Sequence, residues 1–257
     1  MNEQLILPLL LTTVIVWEIL FPAQRGVKIV SSRRFGNSAS FPMSMLISAL
    51  MRPQLLALLP LLYLDFGLGL LAPISGHPLL YAGVSFLVLD LSMYLQHRLL
   101  HANGFLWSMH ALHHSDTAVD FTTYFRHHPL ETIISAASTF LIAVGFGVSA
   151  SMLAFYLLIN NAMQLFQHSN VRLPKRLEWI EAIFVTPTFH IEHHRIERDI
   201  ADTNFSTVFT FWDMLFGTYR EGKREGKEFG ISGFRDEASQ SIGTMLAMPF
   251  TILRNKK

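Results

Sequence analysis

The sequence of 257 residues contains no cysteine. This absence excludes disulfide bridges, iron–sulfur clusters and haem held by a thiolate. Charge is also scarce, since Asp, Glu, Lys and Arg make up 15% of the residues, against roughly 25% in an average soluble domain. The net charge of +1 argues neither for nor against nucleic acid by itself, and we expect no nucleic acid partner.

Long apolar runs take the place of the missing charges. Residues 4–22, 43–64 and 78–96 are apolar runs with few charges, and the run 132–166 has no charge at all. A helix needs about 20 apolar residues to cross a bilayer. The last run is longer than that and carries Gly147 near its middle, so we predict two spans joined by a tight turn.

Lys and Arg are distributed unevenly among the segments between these runs. All of the 20 Lys and Arg residues except Arg52 lie in residues 23–42, 97–131 and 167–257. Because cytoplasmic segments carry the excess of positive charge, we predict five spans with these three segments in the cytoplasm. No Lys or Arg precedes the first run, which we interpret as an uncleaved span rather than a signal peptide. The expected location is the inner or plasma membrane of a bacterium, or the endoplasmic reticulum of a eukaryote.

Eleven of the twelve histidines lie in the segments assigned to the cytoplasm, and His77 is the exception. The stretch "WSMHALHH" at 107–114 and its echo "PTFHIEHH" at 187–194 each contain a His, two other residues and two adjacent His. In "HRLLH" at 97–101, two His are four residues apart. Residues three and four apart share a face of a helix. Three helical segments can therefore direct imidazoles toward one centre.

These clusters indicate a metal site. One tetrahedral zinc ion needs only four ligands, so eight to ten nitrogens suit two metal ions with a position open for water or dioxygen. Imidazole binds Fe, Zn, Cu and Ni, so the ligand type does not select the metal. The candidate ligands are His97, His101, His110, His113, His114, His190, His193 and His194, with His128 and His168 as two more.

Other readings of the histidines stay open at this point. They can form a solvated polar face beside the membrane. A metal transporter or sensor would need ionisable residues along the spans, where only Glu18, Arg52 and Asp90 occur. A haem electron carrier would need pairs of His within the bilayer. The protease motif H-E-x-x-H is absent, because Arg98 stands where the Glu would be.

The set of motifs resembles the fatty acid hydroxylase/sterol desaturase superfamily of membrane di-iron oxygenases, which carries three histidine boxes. The boxes are "HRLLH" at 97–101, "HALHH" at 110–114 and "HIEHH" at 190–194. Further matches are "DLSMYLQHR" at 90–98, "RHHPLE" at 126–131, "QHSNVRLP" at 167–174 and "FWDMLFGTY" at 211–219. The resemblance covers roughly residues 85–220. One departure is Ser206, where the family pattern leads us to expect glycine.

The resemblance and the apolar runs together imply an all-α integral membrane protein with about four to five transmembrane helices and a cytoplasmic helical cap that holds a histidine-rich dimetal site. We expect one domain over residues 1–257. It divides into transmembrane helices in 1–96, a catalytic cap from 97–131 and 167–220, a transmembrane hairpin in 132–166, and a cytoplasmic tail in 221–257, of which residues 221–240 look like a solvated surface segment.

The resemblance also implies a chemistry. Two iron ions would use O2 and external electrons to hydroxylate or desaturate an aliphatic C–H bond of a lipid, such as a sterol or fatty acid. The electrons would come from a partner such as a ferredoxin, a rubredoxin or a cytochrome b5-like protein. The eight box histidines, His168 and one of the adjacent pair His127 and His128, preferably His128, match the ligand positions.

Several residues near the boxes have two possible roles. Asp90 and Tyr94 lie on the helical face of His97 and are candidate catalytic residues. Asp90 can instead form hydrogen bonds between helices, and Tyr94 can belong to the interfacial aromatic belt. The stretch 209–219 can be an interfacial lid or simply pack the cap. Carboxylates that can accept the second N–H of a ligating imidazole are Asp90, Glu131, Glu192, Asp202 and Asp213.

Overall fold

The computed structural model describes residues 3–24, 26–27, 31–66, 69–222 and 228–255. Over these residues the chain is helical, and its only β-pairing consists of three isolated bridges. The α-helices are α1 Glu3–Leu20, α2 Ser32–Phe66, α3 Pro78–Ala102, α4 Gly104–His114, α5 Pro129–Phe146, α6 Ala150–Gln167, α7 Pro187–His193, α8 Arg198–Ala201, α9 Phe211–Leu215 and α10 Ile242–Asn255. Short 3₁₀-helices cover Ala72–Ile74, Phe121–Phe125, Lys175–Ala182 and Ala238–Gln240.

Three of the described helices are long and apolar enough to cross a membrane. They comprise Ser32–Leu62 of α2, Pro78–Ala102 and Pro129–Phe146. The apolar part of α1, Pro8–Leu20, is shorter than a span, and α6 is not among the three. The all-helical architecture with membrane-spanning candidates is thus confirmed. The count of four to five spans and the cytoplasmic side of the cap stay predictions.

The uncharged run around residue 147 forms the predicted pair of helices, with a turn that α3 holds in place. Gly147 ends α5 in the left-handed conformation (φ 73°), which glycine adopts without steric cost. The Tyr81 hydroxyl on α3 donates to the Gly147 carbonyl at 2.8 Å and accepts the Ser149 N–H at 2.7 Å. One side chain therefore satisfies two backbone groups of the turn.

A buried ionic network, which the sequence pattern did not reveal, ties the start of α2 to the segment after α4. Arg33 binds Asp116 at 2.9 Å and also pairs with Asp120. Arg126 is fully buried and donates to the Asn37 side chain at 2.7 Å. Because breaking one member of a buried ion pair strands the other charge in a low-dielectric site, this network fixes α2 against the cap.

The C-terminal part of the chain is packed, and buried residues also occur within residues 221–240, which we expected to be solvated. In α10, Met245 and Met248 are fully buried and pack with Ala111 and Leu112 of α4. Phe229 is buried as well. The physical reason is that Ala111 and Leu112 give α4 an apolar face, which the C-terminal helix covers. The described part of this tail therefore belongs to the packed cap.

We expect Gly36→Ala to lower the thermal unfolding midpoint of the detergent-solubilised protein by roughly 5 °C. An added Cβ would lie 2.4 Å from the carbonyl oxygen of Gln240; such overpacking costs about 1–3 kcal/mol, and each kcal/mol shifts the midpoint by about 2–4 °C. The matched control is Gly83→Ala, also in a helix but with nothing within 4 Å of the new Cβ. That variant should be neutral or stabilising, because Ala favours helices. Equal midpoints for both variants would contradict the packing of residue 240 on α2.

Candidate metal centre

Four helices deliver histidines to one place in the structure. The C-terminal half of α3 carries His97 and His101, and Asn103 then starts α4 by accepting the N–H groups of Phe105 and Leu106. At the start of α7, the Thr186 hydroxyl accepts the Phe189 N–H. Side-chain caps of this kind satisfy the first free N–H groups of a helix. Local sequence signals thus begin the two helices that carry the "HxxHH" boxes.

The histidines converge in two groups, within each of which the candidate ligand atoms lie within 4.8 Å of one another. All of them are buried except His97, which is partly buried. The five-histidine group consists of His97, His101, His110, His114 and His193. The four-histidine group consists of His113, His168, His190 and His194.

Hydrogen bonds at Nδ1 define which ring nitrogen carries the proton. In the five-histidine group, His97 Nδ1 lies 2.9 Å from the Phe205 carbonyl and His193 Nδ1 lies 2.8 Å from the Thr203 carbonyl. A carbonyl only accepts, so both Nδ1 atoms must be protonated and both Nε2 atoms carry lone pairs. These two Nε2 atoms are 2.9 Å apart. Two facing lone pairs repel each other unless a cation lies between them.

Two carboxylates orient further ligands of the same group. His101 Nδ1 is 2.8 Å from Asp202 Oδ1, and His110 Nδ1 is 2.9 Å from Glu131 Oε1. Carboxylate partners fix the ring orientation of metal-binding histidines and raise their basicity. The predicted roles of Asp202 and Glu131 as acceptors are confirmed by these contacts.

The four-histidine group is oriented differently. His168 Nδ1 donates to the Gln164 carbonyl at 2.6 Å, and its Nε2 lies 2.9 Å from His113 Nε2 and 3.0 Å from His190 Nε2. The buried Nδ1 atoms of His113, His190 and His194 have no hydrogen-bond partner among the described residues. Packing of the rings, more than hydrogen bonding, therefore sets the orientation of these three ligands.

Burial keeps the imidazoles neutral. Loss of solvation is the main cause that lowers the pKa of His168 to about 3; neighbouring imidazoles also lower it, and the Gln164 carbonyl opposes the shift. Burial first, and then the neighbouring histidines, hold the pKa of His113, His114, His190, His193 and His194 well below the usual range. A neutral imidazole is the form that binds a metal.

The spacing of the nitrogens fits metal ions. Neighbouring Nε2 atoms are 2.9 to 3.2 Å apart. Metal–nitrogen bonds of about 2.0–2.1 Å place tetrahedral ligands about 3.3 Å from one another. Each group can thus hold a metal ion with small adjustments, and the facing lone pairs give such an ion a physical reason to bind.

His128 lies outside both groups, contrary to the expected ligand set. It caps α5, where its Nδ1 accepts the Leu130 N–H at 3.2 Å, while its Nε2 lies 3.3 Å from the Leu246 carbonyl. Both ring nitrogens are thus occupied by backbone groups. The adjacent His127 is closer to the site, because its ring stacks on His113 with centroids 4.6 Å apart.

Asp90 and Tyr94 also contact neither group directly through a described hydrogen bond. Asp90 Oδ2 accepts the indole N–H of Trp212 at 2.8 Å, and its Oδ1 accepts the Tyr156 hydroxyl at 3.3 Å. The Tyr94 hydroxyl is paired with Thr218 at 2.8 Å. Both side chains therefore connect α3 to residues 209–219.

The loop 203–206 supplies the carbonyls that orient His97 and His193, a role that sequence reasoning missed. Asp213 holds this loop by accepting the N–H groups of Phe205 at 2.8 Å and Ser206 at 2.9 Å. Asn204 adopts a positive φ of 56°, which Asn tolerates better than most residues. Ser206 is not in that region, so the serine at the expected glycine position introduces no strain.

Comparison with known proteins matches the part of the chain that carries the clustered histidines. The family described as "Fatty acid hydroxylase" matches residues 82–218, more than half of the chain. Human alkylglycerol monooxygenase is 30% identical over 58% of this chain and 32% of its own length. Ornithine lipid hydroxylase OlsE of Rhizobium tropici is 28% identical over 64% of this chain and 48% of its own length.

A relative named for a different activity is very-long-chain aldehyde decarbonylase GL1-10 of Oryza sativa, which is 31% identical over 58% of this chain and 50% of its own length. The chain thus spans between a third and a half of these three relatives. No solved structure matches the chain significantly. The matched residues 82–218 include all nine histidines of the two groups, and the chain belongs to the fatty acid hydroxylase family.

Proposed function

We propose that this chain is a membrane-bound di-iron oxidoreductase that uses O2 and external electrons to hydroxylate or desaturate an aliphatic C–H bond of a lipid. The observation that carries the proposal is the pair of facing lone pairs on His97 and His193, which needs a cation. Family membership favours iron as that cation. Two of the relatives are named as a monooxygenase and a hydroxylase of lipids, which favours a lipid substrate.

Bound iron ions would supply the activation of dioxygen. The protein residues have separate tasks. The five-histidine and four-histidine groups would each hold one metal, and Asp202, Glu131 and the loop carbonyls fix the tautomer of their partners. The burial of the imidazoles keeps water away from the reacting atoms. In hydroxylation, one oxygen atom enters the lipid and the other leaves as water, with two electrons and two protons taken up.

The electrons must reach the site from a partner protein, for which we keep a ferredoxin, a rubredoxin or a cytochrome b5-like protein. The sequence has no Gly-rich dinucleotide motif that would bind a nicotinamide or flavin cofactor. We place the histidines at the cytoplasmic face, because the basic residues accompany them along the sequence. Asp90 and Tyr94 are proposed as positioning residues that hold residues 209–219 against α3, in place of the catalytic role first considered.

The ligand assignment predicts the metal content of three variants. The wild-type chain should bind about two metal ions, and His101→Ala and His190→Ala should each lose about one, because each removes a ligand from a different group. The matched control is His128→Asn, which removes a histidine outside both groups and keeps a helix-capping side chain. Elemental analysis of the detergent-purified proteins gives the counts. Full metal retention in His101→Ala would show that this assignment is wrong.

The low pKa values predict how acid affects the metal-free protein. An unfolded histidine titrates near about 6.5, whereas His168 in the folded chain titrates at about 3. The unfolded chain therefore takes up protons that the folded chain does not, and stability falls as the pH drops from about 6.5 toward the folded value. We expect the unfolding midpoint of chelator-treated protein to be clearly lower at about pH 5.5 than at about pH 7.5.

Two variants control this experiment. His190→Gln removes one buried imidazole and should show a smaller decrease in the midpoint than wild type. His77→Gln changes an exposed histidine and should show the same decrease as wild type. Equal midpoints at both pH values would mean that the buried histidines are not the groups that titrate.

The proposed activity is tested on iron-loaded protein in lipid nanodiscs, supplied with a ferredoxin, its reductase and NADPH. Candidate substrates are an alkylglycerol, an ornithine lipid and a sterol. With isotopically labelled dioxygen, mass spectrometry should detect a lipid that has gained one labelled oxygen atom or has lost two hydrogen atoms. Zinc-loaded protein is the control and should give no product. If fully iron-loaded protein oxidises none of these lipids, a metal transporter or sensor becomes the better interpretation.

A further inference from the structure

We propose that residues 183–185 and 208–216, here called the aromatic wedge, insert into the hydrocarbon region of the bilayer beside α3, so that lipid acyl chains are their partner. The proposal depends on α3 crossing the membrane. It does not depend on the reaction at the metals or on which metal is bound.

The first argument is the depth that the aromatic wedge reaches along α3. The ring of Phe209 packs edge-on against Phe86 of α3 with centroids 5.8 Å apart, and the Phe209 N–H is 3.3 Å from Asp90 Oδ2. Phe86 precedes the metal ligand His97 by eleven residues, which is about 16 Å along a helix axis. The wedge contacts α3 from Tyr94 to Phe86 and thus reaches the middle part of a helix that is long enough to span the membrane.

The second argument is the character of the outward face. The exposed side chains of the aromatic wedge are all apolar: Ile183 44%, Phe184 37%, Phe211 36%, Met214 47%, Leu215 67% and Phe216 40% exposed. The one charged residue of the wedge, Asp213, is fully buried and accepts N–H groups of its own loop. A contiguous exposed apolar patch on a protein surface marks a contact with a partner or a membrane. The ring contacts of Phe209 with Phe86 and of Phe216 with Tyr94 hold the wedge against α3, a candidate membrane span, which argues for lipid as that contact.

The third argument is that the non-helical backbone of the aromatic wedge is paired as the hydrocarbon region requires. Unpaired N–H and C=O groups are not tolerated there. The Val185 N–H donates to the Val208 carbonyl at 3.0 Å, and the Thr210 N–H donates to the Ile183 carbonyl at 3.1 Å. The Phe209 N–H has no carbonyl acceptor in this pairing and donates to Asp90 Oδ2 instead. The need for this acceptor explains why an ionisable residue, Asp90, stands within an apolar span.

Cysteine labelling tests the proposal directly, because the natural chain has no cysteine and every single-cysteine variant is free of background. A nitroxide label is attached to Leu215→Cys in phosphatidylcholine nanodiscs. Its collision rates are measured with oxygen, which concentrates in hydrocarbon, and with a water-soluble nickel chelate. The matched membrane control is Leu141→Cys on α5, since Leu141 and Leu215 are both 67% exposed. The water control is Asp199→Cys, at an exposed position of the cap.

We expect the ratio of oxygen to nickel collisions at residue 215 to match that at residue 141 and to exceed that at residue 199 several-fold. A ratio like that of residue 199 would overturn the proposal, because the wedge would then face water. Low collision rates with both reagents would also overturn it, since they would mean that protein, such as a second copy of the chain, covers this face. A label at Met214→Cys repeats the measurement at an independent position.

A second pair of variants tests the role of Asp90. Asp90→Leu removes the acceptor for the Phe209 N–H and the Trp212 indole, while Asp90→Asn keeps an acceptor oxygen. With the label at residue 215, Asp90→Leu should shift the collision ratio toward that of water, and Asp90→Asn should preserve it. An unchanged ratio in Asp90→Leu, in protein that keeps its metal content, would overturn the assignment of Asp90 as the anchor of the wedge.

Discussion

The rest of this structure depends on nine clustered imidazoles, whose candidate ligand nitrogens lie within 4.8 Å of one another in each of the two groups. Such a cluster is unfavourable by itself, because protonation is opposed by burial and the lone pairs repel. The chain tolerates it by distributing the ligands over α3, α4, α6 and α7 and by packing these elements from several sides. A bound cation would make the same arrangement stabilising, because the free energy of metal binding adds to the free energy of folding.

Several contacts that hold the histidine site in place come from residues outside the helices that carry the histidines. Asp213 holds the loop whose carbonyls orient His97 and His193, and Thr218 connects Asp213 to Tyr94 of α3. On the other side, Arg33 and Arg126 fix α2 to the segment that follows the "HALHH" box. Since ring orientation and tautomer both depend on these contacts, residues far apart in the sequence determine the properties of the metal site.

Apolar composition explains both the membrane helices and the part of the cap that lies beside them. The candidate spans expose leucine and phenylalanine because their surroundings are apolar. The aromatic wedge exposes the same residue types, although it is too short and too irregular to be recognised as a membrane segment. Hydropathy averaged along a helix detects the spans, whereas a bent segment beside a span becomes visible only when its neighbours are known.

The sequence by itself determined the helical class, the family and nearly all of the histidines that cluster, because positions three and four apart share a helical face and the boxes repeat that spacing. The turn at Gly147 followed from the length of the uncharged run 132–166 and from the glycine near its middle. The tertiary structure decided the remaining points. It separated the histidines into five and four, placed His128 at a helix start, buried Met245 and Met248, and gave Asp90 a backbone N–H to accept. These outcomes depend on which distant segments meet, and the pairing of distant segments leaves no periodic signal along one chain.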